Sequence, residues 1–218
     1  MASKFAQRTA SEYTWWRALI QYSIIYAILY PYFKIFYKVK VIGRENIPKD
    51  RAFIVASNHM SYLDPVIISF AVKRPIAFMA KEELFKVPGL AQIIDVLGAF
   101  AVNRKKLEIA TIRTAKAVIS TKKWVMAMYP QGTRIKPGKI GKINQGFAYL
   151  AKATKAEILP LSIIGSDKYC FIPFKGNLIV KIGKPFSVSD NLDETMDVWG
   201  KTISDMTGFE YNKEEISV

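Results

Sequence analysis

From about residue 38 onward, short apolar runs alternate with amphipathic stretches. Mostly apolar runs at 38–42, 52–56, 76–80, 99–102, 124–129, 158–163 and 178–182 predict strands. Between them, 65–72, 89–97, 107–121 and 145–154 predict helices, with a last one over 192–206. In the third of these, Leu107, Ile109, Ile112, Ala115, Val118 and Ile119 recur near helical spacing, with basic residues between them. Strands alternating with helices over this length predict an α/β fold, a mostly parallel central sheet flanked by helices. No repeat, Gly/Ser linker or low-complexity segment interrupts it. Gly and Pro gather at 130–141, directly after a predicted strand.

The first 37 residues follow a different pattern. Ten of the 28 Phe, Trp and Tyr side chains fall between Tyr13 and Tyr37, and Phe5 precedes them. Between Arg17 and Lys34 lie 16 uncharged residues. As helix they cover about 24 Å, short of the roughly 30 Å hydrocarbon core. Trp and Tyr favour the headgroup level, where the ring is buried and its polar edge stays wet. The pattern predicts a helix over 12–30, bent at Pro31 and followed by a second segment. This helical hairpin would lie in one leaflet and be membrane-associated; the plainer alternative is a helix pair covering the domain. The expected division is 1–37 as interfacial anchoring helices and 38–218 as the α/β domain. No small-residue cleavage signal follows the apolar run, which argues against a secretory leader.

Charge narrows the partners. The 218-residue chain carries a net +14. Residues 101–142 hold eleven basic side chains against one acid, Glu108, whereas 188–218 hold eight acids against two lysines. An anionic partner follows: a membrane surface, a phosphorylated substrate or nucleic acid. Nucleic acid fits poorly, because the aromatics are not interleaved with the basic stretch as stacking platforms would be. A single cysteine, Cys170, and a single histidine, His59, exclude an internal disulfide and argue against a structural zinc site, so no metal is expected. Neither G-x-x-x-x-G-K-S/T nor G-x-G-x-x-G occurs, and G-x-S-x-G is absent.

The lone histidine lies in Asn58-His59-Met60-Ser61-Tyr62-Leu63-Asp64-Pro65, after the apolar run 53–56. A strand ending in a loop that opens a helix is where open α/β sheets place their sites. His59 is suited to proton transfer near neutral pH, and Asp64 could fix its tautomer through one ring nitrogen. The same residues admit a structural reading, since Ser61-x-x-Asp64 matches a capping box and Asp64-Pro65 a helix start.

The run Asn58-His59-x-Ser61-x-x-Asp64 resembles the N-H-x-S-x-x-D signature of glycerolipid acyltransferases, in particular the 1-acylglycerol-3-phosphate acyltransferase family. Lys81-Glu82-Glu83-Leu84, Pro88-Gly89 and the stretch from Gly98 to Arg104 resemble its second motif. Tyr129-Pro130-Gln131-Gly132-Thr133-Arg134 resembles the third, usually F-P-E-G-T-R, and Ile158-Leu159-Pro160-Leu161 the fourth. The resemblance implies acyl transfer from a thioester, acyl-CoA or acyl carrier protein, to a lysophospholipid hydroxyl, with no cofactor, at the cytoplasmic face of the membrane where acyl carriers are found. It implies His59 as general base with Asp64 orienting it, and Arg104 and Arg134 on the acceptor phosphate, with Lys81 a weaker cation. Gly132 and Thr133 would shape that loop, while Asn58, Ser61, Gln131 and Pro160 would support the site.

One departure stands out: Gln131 replaces the family glutamate. If that glutamate holds a cation, the loss of charge weakens the hold; if it only orders the loop, glutamine suffices. Three alternatives stay open: acyl transfer to the sn-2 hydroxyl of 1-acylglycerol 3-phosphate, the same chemistry on another acceptor, and a non-catalytic anionic-lipid-binding protein.

Overall fold

The computed structural model describes residues 5–37, 39–103, 108–168 and 177–213. The strands form where the apolar runs predict them: β1 Lys40–Ile42, β2 Ile54–Ser57, β3 Ile76–Lys81, β4 Phe100–Val102, β5 Val125–Met128, β6 Ile158–Ile164 and β7 Ile179–Ile182. They make one seven-stranded sheet in the order β1-β7-β6-β2-β5-β3-β4 among the described residues. β6, β2, β5, β3 and β4 run parallel. β7 joins β6 antiparallel, and β1 pairs parallel with β7.

Both faces of this sheet are covered, which is why β5, and β2 up to its last residue Ser57, are apolar rather than alternating. On one face, Ile54, Ala56, Met126 and Met128 pack with side chains of α5 (Ile109–Ser120), α6 (Gln145–Thr154) and α7 (Leu192–Thr207). On the other, Phe53, Val55, Val125 and Ala127 meet α3 (Asp64–Val72) and the aromatic N-terminal helix. A short helix, α4 (Leu90–Val96), lies between β3 and β4.

The N-terminal segment departs from the expected hairpin. One helical run spans Trp15–Phe36, composed of α1 (Trp15–Ser23), a π stretch (Ile24–Leu29) and α2 (Tyr30–Phe36). Pro31 does not turn the chain back. Tyr30 N–H donates to the Ile25 carbonyl five residues away, and Pro31 falls in the first turn of α2. Inside a continuous helix a proline removes one N–H bond and crowds the preceding turn, and here it directly follows the wide turns of the π stretch. The wide turns also rephase the helix. At about 100° per residue, Phe33 would sit about 120° round from Gln21; the π stretch takes up much of that difference. Gln21, Ile25 and Phe33 are all buried.

This helix is docked on the sheet through specific contacts. The Gln21 amide donates to the carbonyls of Ile76 (2.8 Å) and Leu97 (2.5 Å), and its oxygen accepts from Ile76 N–H at 2.9 Å. Arg17 reaches the Asp95 carbonyl, and buried Arg8 pairs with the Asp95 carboxylate. The opposite face exposes Trp15, Trp16, Leu19, Tyr26, Ile28 and Ile35. At 22 residues, with an 18-residue stretch of mean hydropathy 1.2, the helix is long and apolar enough to cross a membrane by length and composition.

Candidate active site

β2 ends at Ser57, and the next two residues are held by neighbouring strands. The Asn58 side chain donates to the Ile163 carbonyl (2.9 Å) and accepts from Ile163 N–H (2.8 Å). It thereby acts as one more backbone unit in the β2–β6 ladder. Trp199 of α7 donates its indole N–H to the Ala56 carbonyl at 3.0 Å, fixing the strand end from the other face.

His59 follows, nearly buried, with 11% of its side chain exposed. The side chain therefore keeps a small exposed surface. Its Nδ1 lies 2.7 Å from Asp64 Oδ2. That same oxygen accepts the backbone N–H groups of Met60 (2.7 Å) and Ser61 (2.8 Å). Asp64 is fully buried and is the first residue of α3, where the helix dipole favours a negative charge. A carboxylate oxygen only accepts, so the third contact requires a proton on Nδ1 and leaves a lone pair on Nε2. Among the described residues Nε2 has no hydrogen-bond partner. The two sequence readings of this turn thus coexist: the cap contact to Ser61 and the imidazole contact share one oxygen.

The third motif closes over this turn. The His59 ring stacks on Tyr129, with centroids 3.8 Å apart and 13° between the planes. β5 lies beside β2, and Ala56 is level with Met128, so residues 59 and 131 emerge next to each other. The Gln131 oxygen accepts His59 N–H at 3.1 Å, and its amide donates to the Ile140 carbonyl at 2.6 Å. Ile135 N–H returns to the His59 carbonyl at 2.8 Å, and Asn144 N–H to that of Pro130, also at 2.8 Å. Gln131 is buried, and both ends of its amide are used on the backbone. In this chain it orders the loop and holds no cation. Gly132 needs its left-handed φ of +66°, and a Cβ there would come within 2.9 Å of the Asn144 amide nitrogen.

The remaining residues expected at the site are placed unevenly. Thr133 and Arg134 are exposed on the loop. The Arg134 guanidinium carbon lies 3.8 Å above the exposed ring of Tyr62. Ser61 Oγ accepts Leu63 N–H at 3.3 Å, tightening the turn into α3. Pro160 is buried in β6, level with Ala56, and its carbonyl accepts Gly183 N–H at 2.9 Å. Lys81, at the end of β3, is paired with Glu83 at 3.0 Å and holds that carboxyl below the usual range. It makes no ion pair with the histidine loop among the described residues. Arg104 lies outside the described residues. Tyr129, Tyr62 and Trp199 were given no role from sequence; Tyr129 could have been found as the first residue of the third motif.

An imidazole fixed by a buried carboxylate, with its other nitrogen unbonded among the described residues, can accept a proton from a hydroxyl. Similar proteins bear on which hydroxyl. A protein from Borreliella burgdorferi named 1-acyl-sn-glycerol-3-phosphate acyltransferase is 29% identical over 147 residues, covering 67% of this chain and 57% of that protein. The chain thus spans little more than half the length of that relative. A Bacillus subtilis protein of the same name is 26% identical over 153 residues, 70% of this chain and 75% of its own. The crystal structure of the 1-acyl-sn-glycerophosphate (LPA) acyltransferase PlsC from Thermotoga maritima superposes with a TM-score of 0.71 at 27% identity, covering 88% of this chain and 80% of that one. The sequence profile of the acyltransferase family matches residues 38–164, a span holding His59, Asp64, the Gln131 loop and Pro160. With that match covering more than half of its length, this chain belongs to the acyltransferase family.

Proposed function

We propose that this protein moves a fatty acyl group from an acyl thioester to the sn-2 hydroxyl of 1-acylglycerol 3-phosphate, giving phosphatidic acid for phospholipid synthesis. The observation that carries the reading is the 2.7 Å contact between His59 Nδ1 and Asp64, which leaves Nε2 without a partner among the described residues. An alcohol is a weak nucleophile until a base takes its proton. Nε2 takes the hydroxyl proton as the oxygen bonds to the thioester carbonyl carbon. Asp64 stabilises the imidazolium, the C–S bond breaks, and the proton passes to the departing thiolate. No acyl-enzyme is needed, because the thiolate is already a good leaving group.

Arg134 and Arg104 are assigned to the acceptor phosphate, whose oxygens match the planar guanidinium fork. Lys81 is a poorer choice, being engaged with Glu83. Either acyl-CoA or acyl carrier protein suits the basic surface, since both are anionic. The exposed aromatic and aliphatic face of the N-terminal helix is assigned to the membrane, in one leaflet at the cytoplasmic side. Lying in the plane is favoured over crossing, because crossing would tear Gln21, Ile25 and Phe33 from the domain.

The test is an acyl-transfer assay on the purified protein with two donors and a panel of acceptors, alongside His59→Ala. Transfer to 1-acylglycerol 3-phosphate should be preferred, and His59→Ala should reduce it at least about 10³-fold while vesicle binding persists. A wild-type protein that binds anionic vesicles and turns over nothing would instead be a lipid-binding module.

A further inference from the structure

Tyr62 is conspicuous as a large aromatic that the fold leaves 77% exposed, within the turn that carries His59. Nothing in the core accounts for it. Its ring is the platform for Arg134, whose guanidinium carbon lies 3.8 Å above the centroid. The two residues come from different loops, joined by the 2.8 Å bond from Ile135 N–H to the His59 carbonyl. Both therefore belong to the two loops that meet at the His59 backbone.

An exposed arginine normally samples many rotamers and loses that freedom when it binds an anion. A carboxylate partner would fix it but would also compete with phosphate for the same N–H groups. Among the described residues Arg134 has no carboxylate within ion-pair distance. A ring fixes the guanidinium through its face and leaves the edge donors open.

Resting on the phosphate-binding reading above, we propose that Tyr62 is a positioning residue for acceptor recognition, stacking on Arg134 so that its fork meets the acceptor phosphate preorganised. The Tyr62 hydroxyl makes no hydrogen bond among the described residues, so the ring alone carries the effect.

The experiment measures binding of lysophosphatidic acid in neutral detergent micelles, with monoacylglycerol as the uncharged control. The proteins compared are the full-length wild type, Tyr62→Ala, Tyr62→Phe, Arg134→Ala and the Tyr62/Arg134 double alanine variant. Tyr62→Ala should weaken lysophosphatidic acid binding about two- to five-fold, the range for an exposed cation–π contact, and leave monoacylglycerol binding unchanged. Tyr62→Phe should restore the affinity, and in the Arg134→Ala background the loss of the ring should add nothing. In turnover, the same factor should appear in KM and not in kcat. Equal effects of Tyr62→Ala with and without Arg134, an unaltered Tyr62→Ala affinity, or equal wild-type affinity for the two lipids would each overturn the proposal. Wild-type binding that favours the phosphate without any transfer would overturn the acyltransferase reading and leave this one standing.

Discussion

Replacing Asp64 with Asn probes the shared oxygen directly. In the native protein Oδ2 accepts three N–H groups at 2.7–2.8 Å, two from the backbone and one from His59. Hydrogen bonds to a charged acceptor contribute about 1.5–3 kcal/mol each and neutral ones about 0.5–1.5. Losing the charge therefore costs roughly 1 kcal/mol per bond, about 3 in all, partly offset because a buried charge no longer has to be desolvated. The net loss should be about 1–3 kcal/mol, and at about 2–4 °C per kcal/mol the variant still folds. The chemical loss should be larger. The two backbone N–H groups hold the amide oxygen at the shared position, so Nδ1 keeps its proton, but a neutral partner no longer stabilises the imidazolium that forms. In a serine-protease triad, where the same change also gives the wrong tautomer, it costs about 10⁴-fold in kcat, or about 5.5 kcal/mol, which is an upper bound for the loss of the charge alone. Initial rates of thiol release, read beside a thermal melt, separate the two effects. A folded Asp64→Asn protein keeping more than about a tenth of the native kcat would refute the role given to the carboxylate.

Two further outcomes follow from the geometry. Gln131→Ala strands two buried backbone groups, the His59 N–H and the Ile140 carbonyl. It should cost about 2–5 kcal/mol in urea unfolding; an unchanged midpoint would mean that the loop is held otherwise. On the N-terminal helix, exchanging the exposed Leu19, Ile28 and Ile35 together for Gln should lower partition onto anionic vesicles at least about tenfold, with a melting temperature shifted by no more than a few degrees. Undiminished sedimentation with vesicles would reassign that face.

The strands were legible because two-sided burial writes itself as uninterrupted apolar runs, as in Phe53–Ala56 and at 124–129. The helix of residues 192–207 was legible from its amphipathic spacing, and it begins at Asn191, whose side chain accepts Asp193 N–H. The motif turn was legible as a helix start, carried by Ser61, Asp64 and Pro65, and the contact expected between His59 and Asp64 forms within it. Other features depend on contacts between distant segments, which local pattern does not encode. The antiparallel entry of β7 beside β6 is one, and the π stretch that rephases the N-terminal helix is another. The glutamine at 131 read as a weakened cation holder or a loop former. Only the Ile140 carbonyl, nine residues on, decides between them. Tyr62 was passed over because an exposed ring has no signature until its partner is placed.

Because Asn58 replaces a peptide group in the ladder to β6, the backbone that carries the imidazole is tied to sheet spacing on one side, while the Gln131 loop holds it on the other. Its ordering entropy is spent during folding, before any lipid arrives. An alcohol arriving at the site would then meet an acceptor nitrogen that does not have to be gathered, and loosening of the basic loop would disturb its aim as well as access to it.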